Sequence, residues 1–153
     1  MKKILILLNL LIFSFTFSQS EKETIDFINS KFSTYFGDFN YKIEKDNAKN
    51  FHIKTIYFGF SNNLITDFTY FNFKNINSIT FRKNELNYYA IYINSSENDV
   101  KSITQGSNYT SSLSVFFIAY KTYDVVEVNR FVKALKHLFT LYGSKFSNDE
   151  LFK

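Results

Sequence analysis

The chain of 153 residues has no cysteine, no proline, no tryptophan and only four glycines. Without cysteine there is no disulfide, no thiol nucleophile and no thiolate ligand, so stability has to come from the packed core alone. A lipid anchor of the bacterial kind, which needs a Cys just behind an apolar leader, is excluded as well. Gly37, Gly59, Gly106 and Gly143 stand singly, which excludes a phosphate-cradling glycine loop. Long apolar runs are equally scarce. The longest, Ile4 to Phe17, is about 14 residues, short of the roughly 20 that span a bilayer.

That run does carry an address. Lys2 and Lys3 precede it, and Thr16-Phe17-Ser18 supplies the small-x-small pattern that a signal peptidase accepts. We therefore read residues 1–18 as a signal peptide cleaved before Gln19. The expected product is exported, periplasmic or extracellular, with no stable membrane anchor after cleavage. Loss of Lys2 and Lys3 takes the formal charge from +4 to +2. A nucleic-acid surface would show a stronger, clustered basic excess, so no nucleic-acid partner is expected.

What is plentiful is aromatic: 20 phenylalanines and 11 tyrosines. These, with Asn, Lys and Ile, are the residues of AT-rich codons, so we assign most of the excess to genome bias before any ligand surface. The first expected element is a helix from about Glu21 to Phe36. Ser20 and Glu23 fit a capping box, Ile25, Ile28, Phe32 and Tyr35 form an apolar stripe, and Gly37 is a natural stop. Asn40 to Tyr120 reads as strands, near 41–46, 51–58, 64–71, 78–83, 88–94, 100–105 and 112–120. Leu113 and Val115 alternate with Ser112 and Ser114, whereas Phe116-Phe117-Ile118 suggests cover on both faces. From Val125 the residues Val128, Phe131, Val132, Leu135, Leu138, Phe139 and Tyr142 recur on one helical face, with Asp124 and Glu127 at the start and Gly143 at the end.

The expected fold is α+β: an N-terminal helix, about seven antiparallel strands in a bent sheet or small barrel, and a C-terminal amphipathic helix packed on it. A cystatin-like arrangement, one helix wrapped by a four- or five-stranded sheet, is the alternative; the strong last helix counts against it. The expected organisation is one domain over 19–143 and a loosely ordered tail, 144–153. The stretch Phe73 to Phe81 feeding Tyr88 to Asn94 looks like the middle strands of the pleckstrin-homology-like superfold. Val128 to Gly143, with Phe131, Ala134, Leu135 and Leu138, looks like its final helix. With its leader, the chain also resembles small exported proteins of unassigned function from AT-rich Gram-negative bacteria. The resemblance implies a layout and carries no activity across, because the superfold hosts unrelated functions.

Chemistry-bearing groups are sparse, and no catalytic, cofactor-binding or metal residue is assigned. His52 and His137 are the only imidazoles, and both read as surface residues. No G-x-S-x-G elbow exists. Two distant histidines without Cys do not make a structural zinc site. Glu97-Asn98-Asp99 reads as turn chemistry, and Glu44 with Asp46 as a solvated strand face. Gly106 to Ser111 reads as a connecting loop. Arg130, Lys133, Lys136 and His137 form a basic strip on the last helix, suited to an anionic headgroup or acidic partner but read first as a solvated face. Tyr88 and Tyr92, with Tyr70 nearby, are candidate binding aromatics; Tyr89, Ile91 and Ile93 take the opposite face, and one of the two faces is core. Two functional classes remain. One is an exported non-catalytic binding or interaction module for a peptide, glycan, lipid headgroup or envelope protein. The other is a small exported enzyme built on Glu44, Asp46 and His52.

Overall fold

The computed structural model describes residues 20–35, 39–48, 50–59, 62–84, 89–107 and 110–146. The leader 1–18, Gln19, the helix stop at Phe36 and Gly37, Tyr88, part of the Gly106–Ser111 loop and the tail beyond Phe146 lie outside the described residues. Helix α1, Glu21–Tyr35, begins at its capping box. The Ser20 N–H donates to Glu23 Oε2 at 2.8 Å, and the Glu23 N–H donates to Ser20 Oγ at 3.2 Å. Ile28 and Phe32 of its stripe are buried.

Eight antiparallel strands follow among the described residues: β1 Phe39–Lys45, β2 Phe51–Phe58, β3 Leu64–Tyr70, β4 Ile76–Lys83, β5 Tyr89–Ser95, β6 Val100–Thr104, β7 Thr110–Leu113 and β8 Val115–Tyr120. They form two sheets, ordered β1-β2-β3-β6-β7 and β4-β5-β8. Seven expected strands become eight because the run 112–120 breaks at Ser114 and changes sheet there. The break also changes side-chain parity. Leu113 pairs with buried Val100, so odd positions face inward before Ser114. After it, Phe116, Ile118 and Tyr120 face the core, so even positions do. Phe117 is consequently 48 % exposed, which corrects the expectation of cover on both faces. The Ser95 N–H donates to the Ser114 carbonyl at 2.8 Å and pins the corner.

The small barrel does not form: among the described residues no ladder joins β8 to β1. Tyr41 instead brings its hydroxyl to the backbone of Ala119, and burial pushes that hydroxyl's pKa up to about 12. The cystatin-like alternative fails too, because a second helix and a second sheet complete the core. Helix α2, Val125–Leu141, is capped by Asp124, whose carboxylate accepts from the Val126 N–H at 2.8 Å. Gly143, at φ +104°, ends it in the left-handed region that suits glycine. Its stripe meets both sheets. Phe139 lies 5.9 Å from Phe51, and Phe131 stacks 4.9 Å from Tyr120. Val128, Phe131, Leu135, Leu138 and Phe139 have no exposed surface.

Polar contacts tie the helices to each other and to β1. Lys31 Nζ sits 2.8 Å from Glu127 Oε2. Lys45 Nζ lies 2.5 Å from Glu21 Oε1, which also accepts from the Tyr142 hydroxyl at 3.0 Å. The hydrogen bond from Lys45, with help from Tyr142, holds the Glu21 carboxyl below its usual range against the opposing effect of burial. Asn29 of α1 closes the edge of β1. Its Nδ2 donates to the Ile43 carbonyl at 3.0 Å, and its Oδ1 accepts from the Ile43 N–H at 2.8 Å. One side-chain amide thus takes the place of a neighbouring strand. Packing continues past Gly143, since Ser144 Oγ donates to the Phe73 carbonyl at 2.7 Å and Phe146 is buried beside Lys136.

Candidate functional site

Among the described residues β4 ends the second sheet and pairs only with β5. Between its outer edge and α2 lies a cleft of about 380 Å³, lined by Ile79, Thr80, Phe81, Asn129, Val132, Lys133 and Lys136. Successive residues of a strand point to opposite faces, so three consecutive residues lining one space place that space along the strand's edge. The helical contribution is a single row: positions 129, 132, 133 and 136 follow i, i+3, i+4, i+7. Ile79, Phe81 and Val132 make the floor, and Lys133 and Lys136 stand on the helical wall. Arg82 and Lys83 close the strand at one end. An edge strand offers unpaired backbone N–H and C=O groups. The cleft therefore combines a hydrogen-bonding wall, an apolar floor and positive charge.

The basic strip expected on the last helix divides. Lys133 is exposed, but Lys136 is only 8 % exposed and carries its ammonium 6.0 Å from the ring of Phe146. Arg130, largely exposed, lies 3.2 Å from Glu127 one turn earlier on the same helix, the carboxylate that Lys31 of α1 also reaches. His137 is half-buried. The solvated face thus holds for Arg130 and Lys133 and is corrected for Lys136, which is buried against Phe146, and in part for His137.

His52 needs a correction as well. It points to the outer face of β2, as alternation requires, yet it is 3 % exposed. The rings of Phe68 and Tyr70 cover it at 5.3 and 5.1 Å. Glu44, its cross-strand neighbour, brings Oε1 to 3.6 Å from Nε2. That oxygen is 4.0 Å from Lys54 Nζ, and the other carboxylate oxygen is 3.2 Å from Lys42. Among the described residues neither imidazole nitrogen has a hydrogen-bond partner, and neither has accessible surface. Asp46 accepts from the Asn50 side chain at 3.1 Å and from its N–H at 2.8 Å, which lowers its pKa. Glu44 and His52 are thus brought together, but behind aromatic rings rather than in a pocket.

The remaining candidates separate. Tyr92 faces out of the second sheet, 5.6 Å from Phe117 and beneath the Arg82 guanidinium at 5.8 Å. Ile91 and Ile93 are the core side. Tyr70 belongs to the other sheet, paired with His52 and Lys101, so the two tyrosines share no surface. Asp99 accepts from Ser95 Oγ and Asn75 Nδ2, both at 2.5 Å, and Glu97 accepts from Asn75 at 3.2 Å. That turn therefore fastens β5 to the 3-10 turn Phe73–Asn75. Hollows elsewhere among the described residues include a phenylalanine- and tyrosine-lined one of about 410 Å³ beside Asn50 and Tyr142 and an apolar one of about 420 Å³ beside Phe39 and Phe58. Neither has a lysine or arginine on its wall.

Sequence reasoning missed the cleft, although it singled out Lys133 and Lys136. Periodicity marks which side of β4 is buried, but nothing in it says that β4 ends a sheet. No family model matches the chain, and neither a curated protein nor a solved structure matches it.

Proposed function

We propose that this chain is an exported, non-catalytic binding module whose ligand seat is the cleft between β4 and α2. One observation carries the proposal: the end strand of a sheet, at Ile79 to Phe81, faces a helical row of Asn129, Val132 and two lysines. Pockets that hold small ligands or short segments combine apolar lining with a few placed polar groups, and this cleft has that make-up. Export rests on the leader, with Lys2 and Lys3, the run Ile4 to Phe17 and Thr16-Phe17-Ser18. The enzyme reading has the approach of Glu44 to His52 in its favour. Against it, a substrate would have to displace the rings of Phe68 and Tyr70 to reach the imidazole.

Protein-observed NMR with a library of small fragments and short peptides tests the seat. Backbone shifts are expected to cluster at Ile79, Thr80, Phe81 and along Asn129 to Lys136. Val132→Arg, which fills the floor at a nearly buried position and is read only where its amide spectrum shows an intact fold, is expected to abolish them. Shifts centred elsewhere, or unchanged in Val132→Arg, would overturn the proposal.

A further inference from the structure

The chemistry of the cleft's walls specifies its occupant further, on the assumption that the cleft is the seat proposed above. The three other ends of the two sheets are less open to an incoming strand. The amide of Asn29 takes both backbone groups of Ile43 on β1. β7 is four residues long, and Tyr41 reaches the backbone of β8 at Ala119. β4 is eight residues long, INSITFRK, with no acidic residue. Among the described residues the lining brings the exposed Lys133 and the mostly buried Lys136 and no negative charge.

We infer that the cleft takes an extended acidic peptide, which adds as a strand to the edge of β4 beside α2. Backbone hydrogen bonds to β4 hold such a strand whatever its sequence, and alternate side chains provide the selection. In a strand seated there, one set of alternate side chains drops onto Ile79, Phe81 and Val132 and is apolar. Carboxylates elsewhere in the strand meet the exposed Lys133 and the Arg82-Lys83 end. Charge also decides against a second copy of this chain. Pairing β4 with β4 would line one seam with Arg82, Lys83, Lys133 and Lys136 from both copies, and β4 has no carboxylate to offset them. Like charges set against each other in an interface are strongly unfavourable.

The test pans a phage library of random peptides of about 12 residues, longer than most strands, on the immobilised protein. Enrichment of alternating apolar positions with Asp or Glu is expected. Lys133→Glu, an exposed change that leaves the core intact, is expected to weaken the best peptide by about tenfold or more. Methylating that peptide's amide nitrogens at every second position then reads the backbone. One alternation frame is expected to destroy binding and the other to retain it. Apolar residues at helical i, i+3, i+4 spacing, a basic consensus, or equal tolerance of both methylation frames would overturn the inference. If such peptides still lose binding in Val132→Arg, the seat survives and only the occupant is wrong. Failure to enrich any peptide would overturn the inference and leave the seat to the fragment test, whereas peptides that bind Val132→Arg as well as the parent would remove both. A dimer joined through β4 without peptide would also overturn it.

Discussion

His52 acquires its burial from neighbours that are remote in sequence. Strand alternation places it outward, and the register β1-β2-β3 then sets Glu44 on one side and Tyr70 on the other. Both ring nitrogens have lost water without gaining a hydrogen bond, a condition that costs about 1–3 kcal/mol per buried group. His52→Leu keeps the packing against Phe68 and Tyr70 and removes that cost. It is expected to raise stability by about 1 kcal/mol, read from the urea midpoint. A loss of stability would show instead that the contact with Glu44 supports the β1–β2 pair. The sequence showed the parity of His52 correctly. It could not show the aromatic cover, because Phe68 and Tyr70 reach His52 only through the third strand.

At the scale of elements, α2 was the most legible part, because seven apolar positions on one face leave no other docking. Leu135 sits at the centre of that face with no exposed surface, whereas Lys133 is exposed. Leu135→Ala is expected to cost roughly 2–5 kcal/mol through lost burial and a cavity. Lys133→Ala is expected to cost less than about 0.5 kcal/mol. Chemical denaturation of both variants checks this, and equal small effects would mean that α2 is not docked on the sheets. Strand positions were legible within a few residues, since Asn, Ser and Asp clusters mark most of the turns. The corner at Ser114 was not, because Leu113, Val115 and Phe117 continue an alternation in sequence that the backbone abandons.

For the whole molecule, the capping box lies directly behind the expected cleavage point. Removal of residues 1–18 leaves Ser20 and Glu23 in the chain, so export does not cost α1 its first turn. Mass spectrometry of protein from the native host is expected to find an N-terminus at or near Gln19. An intact Met1 in the soluble cytoplasmic fraction would sink the export proposal. No helix among the described residues is long and apolar enough to cross a membrane.

The change of sheet at Ser114 also orders events in time. The meander β1-β2-β3 and the hairpin β4-β5 join strands adjacent in sequence, so each needs only a short loop to close. The pairing of Tyr70 with Lys101 must close about 30 residues, which costs on the order of 3 kcal/mol in chain entropy before any contact repays it. β8 has to find β5 as well, and one stretch, Val100 to Tyr120, supplies every partner still missing. This late stretch acts as a clasp that shuts both sheets together, and α2 follows it in the chain. Until α2 docks after it, Ile79 of β4 lacks its cover. A topology weighted toward such distant pairings folds slowly compared with a helical bundle. The interval before closure is the one in which the chain is most open to aggregation.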